Sequence, residues 1–430
     1  YIAGLLHDIG KYGDRFQQRI RGELKGVDHW SVGAWIALTR YQASGIAAAL
    51  SIQGHHKGLQ RASKDALRDL DPEKLMANHP DGLILSDSDM EKLLERMRKD
   101  GLDLPASEQI ASSVYKYSGE HKAAGMLDIR MVYSALVDAD FIETEAHFNA
   151  QDKGKRTYRQ PGLLLRPATL LTQLLAYLDE LAAKSTASPV VREMRADLLS
   201  SCLTAATSKA GLFTLTAPTG TGKTLSMLAF AVKHALCNDL KRIITVIPYL
   251  SIIDQTASEY RKALKSAIDE RDMRRYILEH HSLSGTRAYG RESKVVAADD
   301  EQGSQRQERL LAENWDAPII VTTSVQFLES LFSNRPSACR KLHRMANSVI
   351  LFDEVQTLPI GLAIPTLATL SRLSERYNST VVFSTATQPA FAHLDTYVRK
   401  HCACGWSPKE IVPPELKLYK RARRSRARWP

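Results

Sequence analysis

Apolar positions recur at helical spacing in the first third of the chain, in Ile2–Ile9, Val32–Leu38 and Met131–Ile142, and almost no alternating pattern interrupts them. Residues 1–158 are therefore predicted to form an all-α domain. The polar, Gly-containing stretch Asn149–Gly162 reads as a loop. Residues 159–189 read as a helical connector, built on the apolar run Leu163–Ala183 and broken by Ser185–Pro189. From Val190 the pattern changes to short apolar runs separated by helical segments: Leu212–Thr216, Arg242–Ile247, Pro318–Thr322, Val349–Phe352 and Thr380–Phe383. Strands alternating with helices predict an α/β domain with a parallel sheet over residues 190–415. The strands' apolar character suits burial on both faces. Arg261–Glu308 reads as a loop-rich insertion with helices, and residues 416–430 as a basic linker.

At 430 residues the chain is too long for one core and fits two or three domains. No apolar run approaches the roughly 20 residues that span a bilayer, so no membrane segment is expected. Five cysteines (Cys202, Cys237, Cys339, Cys402, Cys404) form no regular framework, which suits a reducing cytoplasm. Cys402 and Cys404 have no second pair and read as ordinary thiols rather than a zinc site. The chain opens at Tyr1 inside an apolar run, so the native N-terminus is expected upstream. A net charge of +10 favours a polyanionic partner. Much of the excess lies in Lys417, Lys420, Arg421, Arg423, Arg424, Arg426 and Arg428, which form a solvated connection or a basic path for nucleic acid.

Ala217-Pro218-Thr219-Gly220-Thr221-Gly222-Lys223-Thr224 lies between a predicted strand and a predicted helix, the context a phosphate-binding loop requires. Gly220 and Gly222 let backbone N–H groups approach the phosphates of ATP, aided by the helix dipole. Lys223 would neutralise the β- and γ-phosphates and Thr224 would ligate Mg²⁺. Asp353 and Glu354 end an apolar strand, where they would hold Mg²⁺ and polarise the attacking water. This D-E-x-x box, followed by Ser384-Thr385-Ala386-Thr387, resembles superfamily 2 helicases, whose first lobe is RecA-like. The resemblance implies that Pro248, Tyr249, Gln255, Thr256, Thr322, Thr323 and Ser324 grip a DNA backbone through contacts that carry no sequence information. It also implies that Gln356, Ser384, Ala386 and Thr387 couple ATP state to DNA. Gln356 stands where His is more common, and its amide can still hydrogen bond.

The N-terminal third carries His7-Asp8, His29, His55-His56 and a late acid, Asp138 or Asp140. Imidazole with carboxylate suits Mn²⁺, Fe²⁺, Co²⁺ or Ni²⁺ better than a hard all-oxygen site would. His79, His121, His147, His280 and His281 read as structural. The order and contexts of the first set (LLHDIGK, DHWSVGA, GHHKG) resemble a nuclease branch of the HD phosphohydrolase superfamily. The resemblance implies two transition-metal ions with Asp8 bridging them. His7 and the late acid would hold the first ion, and His29, His55 and His56 the second, with Lys11 meeting a phosphate. Asp140 fits the usual context of the late acid better than Asp138, and the two point to different faces of a helix. The branch has one further His, expected before Tyr1.

The two halves together resemble the helicase–nucleases of type I CRISPR systems. That resemblance implies cutting of single-stranded DNA, the displaced strand of an R-loop, followed by 3′–5′ translocation on ATP in antiviral defence. The implied partner is an RNA-guided multisubunit surveillance complex. It further implies a second RecA-like lobe after residue 430, so the polypeptide as written is expected to bind ATP weakly and not to unwind DNA. The alternatives are a DNA-repair helicase with a non-catalytic HD domain, an HD nucleotide phosphohydrolase with a fused ATPase, and a non-enzymatic recruitment module.

Overall fold

A computed structural model describes residues 1–61, 63–109, 121–150, 155–281, 310–386 and 391–422. The chain divides into two compact units. One holds Tyr1–Arg159 together with Ser330–His343, and the other Gln160–Glu329 together with Arg344–Pro430.

The first unit is helical, as its hydrophobic spacing predicts. Helices Ser31–Tyr41, Ile46–Lys57 and the 27-residue Lys122–Phe148 dominate it. Leu6, Ile9, Val32, Ile36, Ala49, Ile52, Leu93 and Leu136 meet in its core. One expectation changes. The apolar run Ile2–Ile9 is not a single helix: Ile2–Leu6 is α-helical, Ile9–Tyr12 is a 3-10 turn, and the His7-Asp8 pair forms the joint. The cause is a contact between separate segments: Gly10 N donates to His29 O at 3.1 Å and draws the chain off the helical path. Two short strands, β1 (Val27–Asp28) and β2 (Ile84–Leu85), pair in parallel. Asp28 is fully buried and its Oδ1 accepts from Trp30 N at 2.9 Å and Ser31 N at 3.0 Å. His29 is thereby fixed between a strand end and a helix start.

The second unit is built on a seven-stranded sheet in the order β5-β6-β4-β7-β8-β3-β9. The strands are β3 Leu212–Thr216, β4 Arg242–Ile247, β5 Ile277–His280, β6 Ile319–Thr323, β7 Ser348–Phe352, β8 Thr380–Thr385 and β9 Lys409–Glu410. All pairings are parallel. Every strand therefore presents its carboxyl end at the same edge, where a ligand site is expected. Helix Pro167–Ala183 packs Leu170 and Leu174 into this core, and Pro189–Ala205 adds Leu198 and Cys202. β5 falls within the stretch expected to be loop and helix, because Ile-Leu-Glu-His offers only two apolar residues. Residues 282–308 of that stretch lie outside the described residues. Near the basic tail, Leu418 is buried in the core, and Arg421 pairs with Glu193 at 3.0 Å and Asp197 at 2.6 Å. Among the described residues no helix is long and apolar enough to cross a membrane.

Candidate metal and nucleotide sites

In the first unit, His7 closes helix Ile2–Leu6, and its Nδ1–H donates to Gly4 O at 2.8 Å. That bond turns Nε2 toward the two carboxylates, the usual orientation of a ligating histidine. Nε2 lies 3.2 Å from Asp8 Oδ2 and 4.0 Å from Asp140 Oδ1. The other Asp8 oxygen, Oδ1, lies 3.4 Å from His29 Nε2. His29 Nε2 in turn faces His56 Nε2 at 3.0 Å. His55 Nδ1–H donates to Ile52 O at 2.5 Å, and its buried Nε2 has no hydrogen-bond partner. Donor atoms of His7, Asp8 and Asp140 fall within 4.8 Å of one another, as do those of His29, His55 and His56. An orphaned buried imidazole nitrogen beside two opposed imidazole nitrogens is an arrangement a cation satisfies. The residues thus fit divalent ions.

The charge balance agrees with that fit. Burial pushes the Asp8 carboxyl up, but hydrogen bonds from His29, His7 and Lys11 hold it well below the usual range. Burial pulls His7 down, while the Asp8 contact outweighs it and leaves His7 raised. Burial and then the His56 charge lower His55 to about 4, and burial and then His29 lower His56 to about 4. Both rings are neutral at pH 7, the form that binds metal. Lys11 Nζ sits 2.6 Å from Asp8 Oδ2.

Asp140 reaches this cluster and Asp138 does not. Asp138 is 3% exposed, and its Oδ1 accepts from Arg340 Nε at 3.0 Å. Two glycines and one pair were not singled out from sequence. A Cβ on Gly10 would stand 2.3 Å from His29 O, and one on Gly33 would stand 2.0 Å from Leu6 O. Both glycines lie inside the quoted histidine contexts, which is the signal that could have found them. Asp28 Oδ2 lies 2.9 Å from His79 Nε2, so the histidine read as structural buttresses the segment that carries His29.

In the second unit, β3 feeds the loop Ala217–Gly222 and then helix Lys223–Asn238. Gly220 and Gly222 both adopt φ +81°, which side chains resist. Thr221 Oγ1 donates to Pro218 O at 2.7 Å, and the Arg195 guanidinium donates to Gly220 O at 3.3 Å. Lys223 Nζ lies 3.3 Å from Glu354 Oε1, and Thr224 follows it in the helix's first turn. Asp353 Oδ1 accepts from Glu354 N at 3.0 Å and Ser384 Oγ at 3.3 Å. Burial raises the Asp353 carboxyl, Lys223 opposes that and Glu354 adds to it. Glu354 itself sits at φ +50°, a strained setting for a non-glycine residue. Gln356 Nε2 donates to Glu354 Oε2 at 2.5 Å, and its Oε1 accepts from Thr385 Oγ1 at 2.8 Å. Thr385 had not been singled out. Ala386 O accepts from Tyr419 Oη at 2.5 Å. Thr387 lies outside the described residues.

The residues expected to grip DNA divide. Pro248 and Tyr249 follow β4, Tyr249 is 57% exposed, and Gln255 is exposed on helix Leu250–Leu264. Thr256 is buried, and Thr322 is buried with its hydroxyl donating to His280 O at 2.8 Å. β6 is an inner strand covered on both faces, so Thr322 is not presented for a phosphate contact. Thr323 is buried and its Oγ1 accepts from Gln326 N at 3.1 Å, holding the start of helix Ser324–Phe332, while Ser324 is half-buried. Away from both sites, Cys402 and Cys404 bring their sulfurs to 3.1 Å beside Glu375, whose carboxylate takes a 3.0 Å ion pair from Arg372.

Comparison with known proteins matches residues 1–184 to the HD domain family and residues 200–394 to the DEAD/DEAH box helicase family. The CRISPR-associated nuclease/helicase Cas3 of Haloferax volcanii is 26% identical over 442 residues, covering 90% of this chain and 45% of that protein. The crystal structure of T. fusca Cas3 with AMPPNP superposes with a TM-score of 0.59 at 16% identity, over 93% of this chain and 45% of that one. A CRISPR RNA-guided surveillance complex in a pre-nicking state contains a chain matching at TM-score 0.51 and 16% identity, over 93% of this chain and 42% of that one. These structural likenesses carry the fold. The chain spans about 45% of the length of the curated relative it matches. An HD domain match followed by a DEAD/DEAH box helicase match, in the order and fold of these relatives, is the arrangement this chain shares with the CRISPR-associated nuclease/helicases it resembles.

Proposed function

We propose that the chain contains a metal-dependent nuclease for single-stranded DNA joined to the first lobe of an ATP-driven 3′–5′ DNA translocase. It would serve CRISPR antiviral defence on the strand displaced by an RNA-guided multisubunit surveillance complex. The single observation that carries the nuclease reading is Asp8, which turns one oxygen toward His7 and the other toward His29. His7, Asp8 and Asp140 would hold one divalent ion, and His29, His55 and His56 the other. Mn²⁺, Fe²⁺, Co²⁺ or Ni²⁺ bound there supplies Lewis-acid stabilisation of the attacking and leaving oxygens in phosphodiester hydrolysis. The chain's own residues orient the site: Gly4 O and Ile52 O fix the tautomers of His7 and His55, and Lys11 offers an ammonium to a substrate phosphate.

In the motor lobe, backbone N–H groups of Ala217–Thr224 would cradle the ATP phosphates and Lys223 would leave Glu354 for them. Thr224 and Asp353 would hold Mg²⁺, and Glu354 would orient the attacking water. Gln356 links that glutamate to Thr385 on β8, a physical route from nucleotide to the neighbouring strand. The exposed Tyr249 and Gln255, with Ser324, would meet the DNA backbone. The test is cleavage of single-stranded DNA with Mn²⁺ or Co²⁺ in the absence of ATP. Cutting by the parent and none by Asp8→Ala supports the reading, and equal cutting by both overturns it.

A further inference from the structure

The helix that carries Asp140 is clamped along one stripe by a segment from elsewhere in the sequence. Residues 330–343 lie in sequence between β6 and β7 of the helicase lobe, yet they belong to the nuclease unit. Arg130, Ser134 and Asp138 sit at i, i+4 and i+8 of helix Lys122–Phe148, so they share one face. Each engages the segment. The Arg130 guanidinium donates to Ser333 O and, at 2.7 Å, to Phe332 O. Ser134 Oγ donates to Cys339 O at 2.5 Å and accepts from His343 N at 3.0 Å. Asp138 and Arg340 form an ion pair at 3.0 Å in which both side chains are 4% exposed. The Arg340 guanidinium also lies 4.6 Å from the Phe141 ring centroid, on the residue after Asp140.

The same segment reaches the second ligand helix, Ile46–Lys57. Asn334 O accepts from Leu59 N at 2.9 Å, three residues after His56. Tyr133 Oη lies 3.1 Å from Gly54 O, which precedes His55, and 3.3 Å from Asn334 O. The strap thus touches the backbone just after the His55-His56 pair, meets Tyr133, which itself reaches Gly54 before the pair, and lines the face of the helix that presents Asp140.

We propose that residues 330–343 are a positioning element of the nuclease, and that Arg340, acting through Asp138, is the positioning residue that sets the Asp140 carboxylate for its metal ion. Arg340 engages this helix through Asp138 and the Phe141 ring. Its buried, charge-assisted bond holds the helix face two residues from the ligand. Partners behind metal ligands typically change affinity by about 10–100-fold when removed. This inference rests on the two-ion reading given above.

The experiment is a Co²⁺ titration of the whole chain, followed by the visible absorption of the bound ion, for the parent, Arg340→Lys and Arg340→Met. The parent must develop the cobalt bands; if it does not, the two-ion reading fails, and this inference with it. Given that binding, Arg340→Met with unchanged far-ultraviolet circular dichroism is expected to bind one cobalt equivalent about 10-fold more weakly and with altered bands. Arg340→Lys, which keeps the charge, is expected to recover part of the loss. Parent-like affinity and spectrum in Arg340→Met overturn the proposal and leave the two-ion reading standing. Should Arg340→Met fail to fold, Ser134→Ala removes the neighbouring clamp at little change in volume. A measurable loss of cobalt affinity in that variant supports the positioning role, and parent-like affinity overturns it.

Discussion

Thr385 Oγ1 donates a hydrogen bond of 2.8 Å to Gln356 Oε1, and so ties the end of β8 to the residue that holds Glu354. Gln356 therefore has a partner on each side, which answers what a glutamine does where histidine is more common. If this bridge couples nucleotide to DNA, Gln356→Ala and Thr385→Val should each reduce DNA stimulation of ATP hydrolysis while leaving basal hydrolysis within a few-fold. A neutral hydrogen bond contributes about 0.5–1.5 kcal/mol net, so each loss should be about 2- to 10-fold. In a double-mutant cycle the two effects should not add. Additive losses would show that the residues act separately.

The late acid gives a second prediction. Asp140→Asn should remove metal binding at its ion and abolish DNA cleavage. Asp138→Asn should retain both to within a few-fold, because the amide oxygen still accepts from Arg340. It should nonetheless lower stability by about 3 kcal/mol, since the Arg340 charge is left uncompensated in a buried setting. Urea denaturation reads the stability, and the reverse pattern of metal loss would transfer the ligand role to Asp138.

Close backbone approach makes a third. A methyl group on Gly10 would meet His29 O at 2.3 Å, so Gly10→Ala must push apart the turn after Asp8 and the His29 segment. The expected cost is about 1–3 kcal/mol in stability, as for overpacking elsewhere. Metal affinity should fall with it, measured by isothermal titration with Mn²⁺. Gly125, with nothing within 4 Å of its added Cβ, is the control, and Gly125→Ala should leave metal affinity at the parent value and raise stability by about 0.5–1 kcal/mol through helix propensity.

The core of the second unit contains a pH-sensitive group. His234 is fully buried, its Nδ1–H donates to Ala206 O at 2.9 Å, and its Nε2 accepts from Thr380 Oγ1 at 2.8 Å. Burial lowers its pKa from the ordinary 6.5, with the Ala206 bond opposing. Below pH 6.5 the unfolded chain takes up a proton that the folded chain resists. This contribution is therefore full above pH 6.5 and is lost as pH falls, at no more than about 1.4 kcal/mol per pH unit. Chemical denaturation from pH 7.5 to 5 should show a shallower decline for His234→Gln than for the parent. An equal slope would remove His234 as a source of acid sensitivity.

Much of this was legible in the sequence because the signals are local. The apolar runs that became β3, β4, β6, β7 and β8 sit within a residue or two of their predicted ends. Their burial on both faces leaves a continuous hydrophobic mark. β5 and β9 left none, since Lys409-Glu410 lies exposed at the sheet edge. The histidines and Asp8 were legible as types in order, whereas the break at His7-Asp8 depends on Gly10 meeting His29, a contact between separate elements. Thr256 and Thr322 carried hydroxyls suited to phosphate, and only packing turns them inward. Arg340 gave no signal, because its partner Asp138 lies 202 residues away in sequence.

The discontinuity of the first unit also sets a clock on its synthesis. Residues 1–159 leave the ribosome with all six candidate ligand side chains, but Ser330–His343 emerges only after most of the parallel sheet. At about 5–20 residues per second, that delay is roughly 10–40 seconds. During it, Arg130, Ser134 and Asp138 have no strap to bury them. A chain released early would carry every histidine and still leave that face of the Asp140 helix open to water.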